Sequence, residues 1–176
     1  MSTLPTTQGD ETSATGSSER RIVVGYDGSP SGTAALARAA ALAESGKATL
    51  DVVTAWHYPI AYGGYPITSN WSPHEDAKDT LRRGLLHQFG TVTPAWVTGH
   101  ATEGQPARVL IEASDGAEML VVGSRGHGGF AGLLLGSVSS ACAEHAACPV
   151  LIMHEAPSGP TRRRSTEQRL EAALPR

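Results

Sequence analysis

A chain of 176 residues, 40% hydrophobic and 18% charged, has the length and composition of one ordinary soluble domain with tails. A net charge of −3 excludes the basic surface expected of a protein that binds nucleic acid or an anionic membrane. No apolar run is long enough to span a membrane, and no basic start precedes an apolar region, so we expect neither a membrane span nor a signal peptide.

The chain has two cysteines, Cys142 and Cys148, too few for the disulfide framework of a small secreted protein. Their spacing does not place them squarely face to face, so we expect small buried apolar side chains rather than redox chemistry. So few thiols indicate a reducing compartment, and we therefore predict a cytoplasmic protein.

The chain is predicted to form one folded domain between two tails. Residues 1–19 are dominated by Ser, Thr and Gly and have almost nothing to bury, which predicts a disordered N-terminal tail. The domain is predicted over residues 20–155. Residues 156–176 begin with a linker containing Pro and Gly, and we predict a flexible C-terminal tail.

The first strand is predicted at residues 22–24, which are all apolar. Gly25 and Asp27 follow at its carboxyl end, the edge at which open parallel sheets bind ligands. The Asp27 carboxylate suits ribose hydroxyls or a metal ion beside phosphates, and the alternative is a turn-forming Asp-Gly pair. Ser29 then begins an alanine-rich helix as its N-cap, and we expect Gly46 to stop that helix.

The second strand is predicted at residues 48–56 and is followed by a long irregular segment, residues 57–71, which holds three of the four tyrosines. A loop of this length in a compact domain is usually functional or mobile. Two interpretations of the segment stay open: a lid over a ligand site, or a floppy crossover to the next element.

The next three elements alternate again between helix and strand. A helix is predicted at residues 72–89, because Ser72 is a good N-cap and apolar residues recur at helical spacing. A loose alternation predicts the third strand at residues 92–98. The third helix is predicted at residues 105–114, with a proline near its start.

The last part of the domain holds a glycine-rich loop between two strands. Apolar runs predict the fourth strand at residues 119–122 and the fifth at residues 150–153. Ser137 is placed as the N-cap of the helix between them, and Pro149 ends that helix.

The chemistry of this loop favours the binding of phosphate. Backbone N–H groups without neighbouring Cβ atoms approach an anion closely, and a helix N-terminus adds unpaired donors and a positive dipole end. Ser137 adds a hydroxyl, and Arg125 and His127 add positive charge from the same loop. The loop and the helix start therefore predict a phosphate cradle.

The spacing of the loop glycines, Gly123-x2-Gly126-x9-Gly136-Ser137, resembles the complete ATP-binding signature of the universal stress protein family. The resemblance covers residues 20–155, about the size of one domain. It implies that the ligand is ATP, with Mg²⁺.

The resemblance also implies which residues bind the nucleotide. Asp27 and Gly25 would meet ribose and phosphate, the backbone of Ala55 would read the adenine edge, and the loop with the helix start would hold the phosphates. The candidate residues are Gly25, Asp27, Ala55, Gly123, Ser124, Arg125, Gly126, His127, Gly128, Gly129, Gly136, Ser137 and Val138.

Other phosphate motifs fit the sequence less well. No stretch supplies the G-x4-G-K-[ST] of a Walker A loop. Residues 126–131 match the dinucleotide pattern G-x-G-x-x-A, but that pattern belongs on the first βα turn, and here only one strand remains. The remaining alternative is a glycine-rich loop that turns tightly and binds nothing.

The order of elements, four βα units and a final strand, predicts an α/β fold with a mainly parallel five-stranded sheet in three layers, helices on both faces. The resemblance implies a Rossmann-like sheet of strand order 3-2-1-4-5, as in the adenine nucleotide alpha hydrolases. The first and fourth strands are then neighbours. Asp27 and the loop after residue 122 would meet at the switch point of the sheet, where a ligand belongs.

Catalytic residues are not evident from the sequence. No Cys/His cluster has zinc spacing, and no G-x-S-x-G is present. Phosphoryl transfer needs a group that orients the nucleophile, and no base is apparent beside Asp27. ATP binding is therefore better supported than ATP turnover.

The resemblance implies a regulatory role under stress, with slow or absent hydrolysis, and a homodimer in which residues 150–153 pair across a two-fold axis. Such pairing would protect an exposed sheet edge. Two rival functions stay open: an enzyme that cleaves ATP or transfers a phosphoryl group on the same fold, and a nucleotide-free module that binds another protein.

Overall fold

The computed structural model describes residues 20–58, 71–127 and 134–155. The predicted tails and most of the segment 57–71 lie outside this part of the chain. No helix within it is both long enough and apolar enough to cross a bilayer. Strands and helices alternate in the order β1 (Arg21–Gly25), α1 (Pro30–Gly46), β2 (Thr49–Trp56), α2 (Pro73–Phe89), β3 (Val97–Glu103), α3 (Pro106–Ala113), β4 (Met119–Gly123), α4 (Ser137–His145) and β5 (Val150–Met153).

The five strands form one sheet in the order β3-β2-β1-β4-β5, and neighbouring strands run parallel. This confirms the predicted architecture and strand order. The central strands β1 and β4 are buried on both faces, which explains why both read as unbroken apolar runs.

Two apolar clusters cover the two faces of the sheet. Because side chains alternate along a strand, Val24 and Val121 face α1 and α2, whereas Val23 and Leu120 face α3 and α4. Within α1, alanines such as Ala35 are completely buried, so this helix packs closely on the sheet.

Helix α1 begins as predicted and ends differently from the prediction. The hydroxyl of its N-cap, Ser29, accepts a hydrogen bond from the Gly32 N–H at 3.0 Å. At the other end, Gly46 is still helical, and Lys47 adopts the left-handed conformation with φ of 52°. Gly46 instead leaves room for Arg20, whose guanidinium Nη1 donates to the Gly46 carbonyl at 2.9 Å.

The third strand was predicted at residues 92–98, and this is wrong: β3 runs from Val97 to Glu103. A turn occupies the preceding residues, where the Val97 N–H donates to the Pro94 carbonyl at 3.0 Å. The rest of β3 is largely exposed at the edge of the sheet and carries polar residues such as His100. An exposed edge strand needs no apolar face, so its sequence shows no apolar alternation.

Candidate functional site

A cleft of about 310 Å³ opens at the carboxyl edge of the sheet, where β1 and β4 lie side by side. Helix α1 leaves this point toward one face of the sheet and α4 toward the other, which creates the crevice typical of a switch point. The cleft is lined by Gly25, Tyr26, Asp27, Ala55, Pro106, Leu110, Val122, Gly123, Arg125, Gly126, His127, Gly136, Ser137, Val138 and Ser139.

The structure brings ten of the thirteen candidate residues to this cleft. Gly128 and Gly129 lie outside the described residues. Ser124 does not line the cleft: it is only 2% exposed, and its carbonyl accepts from the Gly136 N–H at 2.7 Å and the Ser139 hydroxyl at 2.9 Å. Ser124 therefore lies beneath the loop, where the hydrogen bonds to its carbonyl link the end of β4 to the start of α4.

The cleft also has an apolar wall that the sequence reasoning did not identify. Pro106 and Leu110 of α3 lie with Ala55 and Val138 on this wall. The apolar spacing of α3 predicts that Leu110 is buried, but spacing does not reveal that a residue borders a cavity. The proline at the start of α3, beside the edge where ligands bind, was the one available signal.

Gly25 leaves space for the apolar wall of the cleft. A Cβ at Gly25 would lie 2.7 Å from Leu110 Cδ1, so the glycine allows α3 to cover the end of β1. The close approach of a ligand to Gly25 stays a prediction.

The loop glycines Gly123 and Gly126 are tightly enclosed by the start of α1. A Cβ on Gly123 would lie 2.7 Å from Ser31 Oγ and 2.8 Å from the Gly32 backbone nitrogen. A Cβ on Gly126 would lie 2.6 Å from Asp27 Oδ2. The Asp27 carboxylate therefore lies directly against the loop, and the two features noted separately in the sequence meet at one place.

One carboxylate oxygen of Asp27 forms hydrogen bonds within the turn before α1, and the other lies against the loop. Its Oδ1 accepts from the Ser29 N–H at 2.9 Å and the Ser29 hydroxyl at 2.6 Å, whereas Oδ2 has no hydrogen-bond donor among the described residues. Its backbone carbonyl lies 3.0 Å from His127 Nε2. Because a carbonyl can only accept, Nε2 carries the ring hydrogen and donates a hydrogen bond to the Asp27 backbone carbonyl.

The start of α4 corrects the predicted N-cap. Gly136, not Ser137, is the N-cap, with extended backbone and no side-chain cap, because its N–H is bonded to the Ser124 carbonyl just before the helix. Ser137 is the first helical residue and is exposed. Its hydroxyl is not used for capping, and the first turn of α4 presents backbone N–H groups at the cleft.

The polar end of the cleft suits an anion. Arg125 and His127 are exposed there, the amino end of α4 adds its positive dipole end, and Asp27 is the one carboxylate in the described lining. No group of three or more His, Cys, Asp or Glu residues in the described ranges is arranged to hold a metal ion. An apolar wall beside an anion site is the arrangement that a ligand with a flat ring and a phosphate requires.

Comparison with known proteins gives one consistent family. The model of the universal stress protein family matches residues 19–154. A universal stress protein from Mycolicibacterium smegmatis is 36% identical over 134 residues, which are 75% of this chain and 45% of that protein. Universal stress protein A homolog 1 from Coxiella burnetii is 34% identical over 136 residues, which are 75% of this chain and 94% of the relative.

The matched relatives thus differ in length. The chain spans about half the length of several of them and nearly all of the Coxiella protein. Among solved structures, the crystal structure of a universal stress protein in complex with cAMP has a TM-score of 0.58 and 29% sequence identity, covering 78% of this chain and 98% of that one.

Proposed function

This chain belongs to the universal stress protein family, and from that premise we propose that it is a nucleotide-binding regulatory protein of the stress response. It binds ATP, with Mg²⁺, and hydrolyses it slowly or not at all. The observation that carries the proposal is one cleft in which the Asp27 carboxylate lies against Gly126, between an apolar wall and the amino end of α4. We also propose that the protein is cytoplasmic, because Cys142 and Cys148 are both free thiols.

Each part of the cleft suits one part of the nucleotide. The adenine lies on the wall formed by Ala55, Pro106, Leu110 and Val138. The Asp27 Oδ2 is available to a ribose hydroxyl or to the metal ion. A related universal stress protein that is 29% identical has a crystal structure in complex with cAMP, which supports an adenine nucleotide as the ligand class.

The phosphates lie at the polar end of the cleft. The N–H groups of Gly126 and of the first turn of α4 are available to an anion there, and Ser137 offers a hydroxyl. Arg125 supplies the positive charge. With Asp27 as the one carboxylate in the described lining, and with its Oδ1 already engaged by Ser29, the site is better equipped to hold ATP than to activate water.

The test is a calorimetric titration of the full chain with ATP and Mg²⁺, after any co-purified nucleotide has been removed. We expect micromolar binding that Asp27→Ala weakens at least tenfold, because one ligand of the ribose or metal is lost. Asp115→Ala is the matched control, since it removes an exposed carboxylate outside the cleft. Absence of binding by the wild-type protein would overturn the proposal.

We further propose that two copies of the chain pair through β5. Its four apolar residues are all partly exposed, and among the described strands it pairs only with β4. Two copies of the matched region side by side would also fit the length of relatives of which that region makes up 45%.

The geometry of the edge gives a sharp test of the dimer. The carbonyls of Pro149 and Met153 accept from β4, so the backbone of Ile152 faces the free edge. Ile152→Pro removes an N–H that only an added strand would use, whereas Ile152→Ala truncates the same side chain and keeps the N–H. Light scattering should show a monomer for the proline variant and a dimer for the alanine variant, and a monomeric wild type would contradict the pairing.

A further inference from the structure

We propose that Ser31, a buried residue in the first turn of α1, aims the Gly126 N–H into the cleft and is thereby a positioning residue for the phosphate. The inference rests on the proposed nucleotide site. Ser31 is 5% exposed and does not line the cleft, so it acts on a ligand only through another group.

Ser31 binds both backbone groups of Arg125. Its hydroxyl donates to the Arg125 carbonyl and accepts from the Arg125 N–H at 3.4 Å. The Ser29 hydroxyl, which Asp27 also binds, lies 3.3 Å from the same carbonyl. The carbonyl of Arg125 is therefore held against α1, on the side away from the cleft.

The geometry of the peptide bond then fixes the next N–H. In a trans peptide the C=O of one residue and the N–H of the following residue point in opposite directions, and the described residues contain no cis peptide. With the Arg125 carbonyl directed toward Ser31, the Gly126 N–H is directed away from α1. Gly126 lines the cleft, and within the described ranges its N–H donates to no protein acceptor.

Gly126 makes this constraint necessary. A Cβ at this position would press on Asp27 Oδ2, whose carboxylate Ser29 already holds, and glycine leaves the preceding peptide free to turn over. A reversed peptide would present the Arg125 carbonyl oxygen to the phosphate and repel it. The Ser31 hydroxyl prevents this reversal, so the loop is complementary to an anion before the ligand arrives.

The test compares ligands with and without phosphate. Calorimetry with adenosine, AMP and ATP–Mg²⁺ is carried out on the wild type and on Ser31→Ala. We expect AMP and ATP to bind about tenfold more weakly to the variant, the loss of one charge-assisted hydrogen bond, and adenosine to bind within about twofold of the wild type. Ser114→Ala, which removes another buried hydroxyl that does not line the cleft, should change none of these affinities.

A second measurement and a second variant keep the inference falsifiable. AMP, but not adenosine, should shift the Gly126 amide proton in the NMR spectrum of the wild type, and Ser31→Ala should lose that shift. If Ser31→Ala does not fold, Ser31→Cys keeps the shape with a weaker donor and should show an intermediate loss.

The outcomes separate the two proposals. Equal loss of adenosine and AMP affinity, or no loss of AMP affinity in Ser31→Ala, would overturn the inference and leave the nucleotide site standing. A wild-type chain that binds none of the three ligands would remove the nucleotide site and this inference with it.

Discussion

Individual glycines of the loop have different steric surroundings. The nearest described atom to a Cβ on Gly136 would be the Ser124 carbonyl oxygen at 3.5 Å, an ordinary contact, whereas a Cβ on Gly123 would press on the backbone of Gly32 at 2.8 Å. Gly123→Ala should therefore lower the free energy of unfolding by about 1–3 kcal/mol, and Gly136→Ala should lower it by no more than about 0.5–1 kcal/mol, the ordinary cost of alanine at an N-cap. Urea unfolding of both variants tests this, and equal stabilities would contradict it.

The thiol of Cys142 provides a second prediction at this scale. Burial raises the pKa of Cys142 to about 11, with a smaller contribution from Cys148 nearby. At pH 8 its reactive thiolate is about one thousandth of the total, so a disulfide reagent should label Cys148 well before Cys142. Denatured protein should show both thiols at once. Equal labelling rates of the two thiols in the native protein would contradict the prediction.

The raised pKa also has a consequence for stability. The unfolded chain releases the Cys142 proton more readily than the folded chain does. The contribution of this thiol to folding is therefore complete below about pH 9 and is lost as the pH rises through about 11.

At the scale of elements, two neighbouring arginines differ in what they hold together. The Arg21 guanidinium binds the Asp51 carboxylate at 3.1 Å, the Ala113 carbonyl at 2.9 Å and the Asp115 carbonyl at 2.6 Å, and so joins β1 to β2 and to the end of α3. Arg20 pairs with Glu118 in solvent, with 57% of its side chain exposed.

Arg21→Ala should therefore lower the free energy of unfolding by about 1–2 kcal/mol, because two partly buried acceptors, the Asp51 carboxylate and the Ala113 carbonyl, lose this donor. Arg20→Ala is the matched control and should cost less, since its ion pair with Glu118 and its hydrogen bond to the Gly46 carbonyl are all exposed to solvent. Denaturant unfolding of both variants is the measurement. A larger loss of unfolding free energy in Arg20→Ala than in Arg21→Ala would contradict the prediction.

Helix α2 rests on Tyr26 through a single glycine. A Cβ on Gly84 would overlap the Tyr26 ring. Alanine for glycine inside a helix normally stabilises by about 1 kcal/mol, but Gly84→Ala should destabilise by about 1–3 kcal/mol, because the ring or the helix has to move. Tyr26→Ala alone and combined with Gly84→Ala completes the cycle. If the cost of Gly84→Ala is the same without the ring, the contact is not its cause.

The sequence predicts best those elements whose secondary structure is determined by their own residues. The buried runs of β1 and β4 and the capped start of α2 at Ser72 were all found, because burial and local capping leave a pattern in the chain. The edge strand β3 was misplaced because exposure removes the pattern.

The candidate site was predictable in part. The loop and Asp27 are marked by their residue types. The N-cap of α4 was missed because it depends on a hydrogen bond from Gly136 to Ser124, twelve positions earlier. The wall contributed by Leu110 depends on how α3 lies on the sheet, which no spacing within one helix reveals.

For the molecule as a whole, bound nucleotide should stabilise the fold. A ligand at a hundred times its dissociation constant adds about 2.7 kcal/mol to the free energy of unfolding if it binds only the folded chain. ATP with Mg²⁺ should therefore raise the denaturant midpoint of the wild type, and Mg²⁺ alone should not. Asp27→Ala should lose most of the increase. An equal increase in this variant would locate the nucleotide elsewhere.

The strand order has a consequence for how the protein is made. Asp27 and His127 meet in the cleft although they lie 100 positions apart in the chain. A ribosome therefore delivers β1, β2, β3 and their helices while β1 still lacks its neighbour β4. A nascent chain that ends before Gly123 has Ala55, Pro106 and Leu110 of the apolar wall but lacks Val138, the glycine-rich loop and α4. If the proposed function is right, nucleotide would therefore not assist those early stages and would act as a folding ligand only once α4 has emerged.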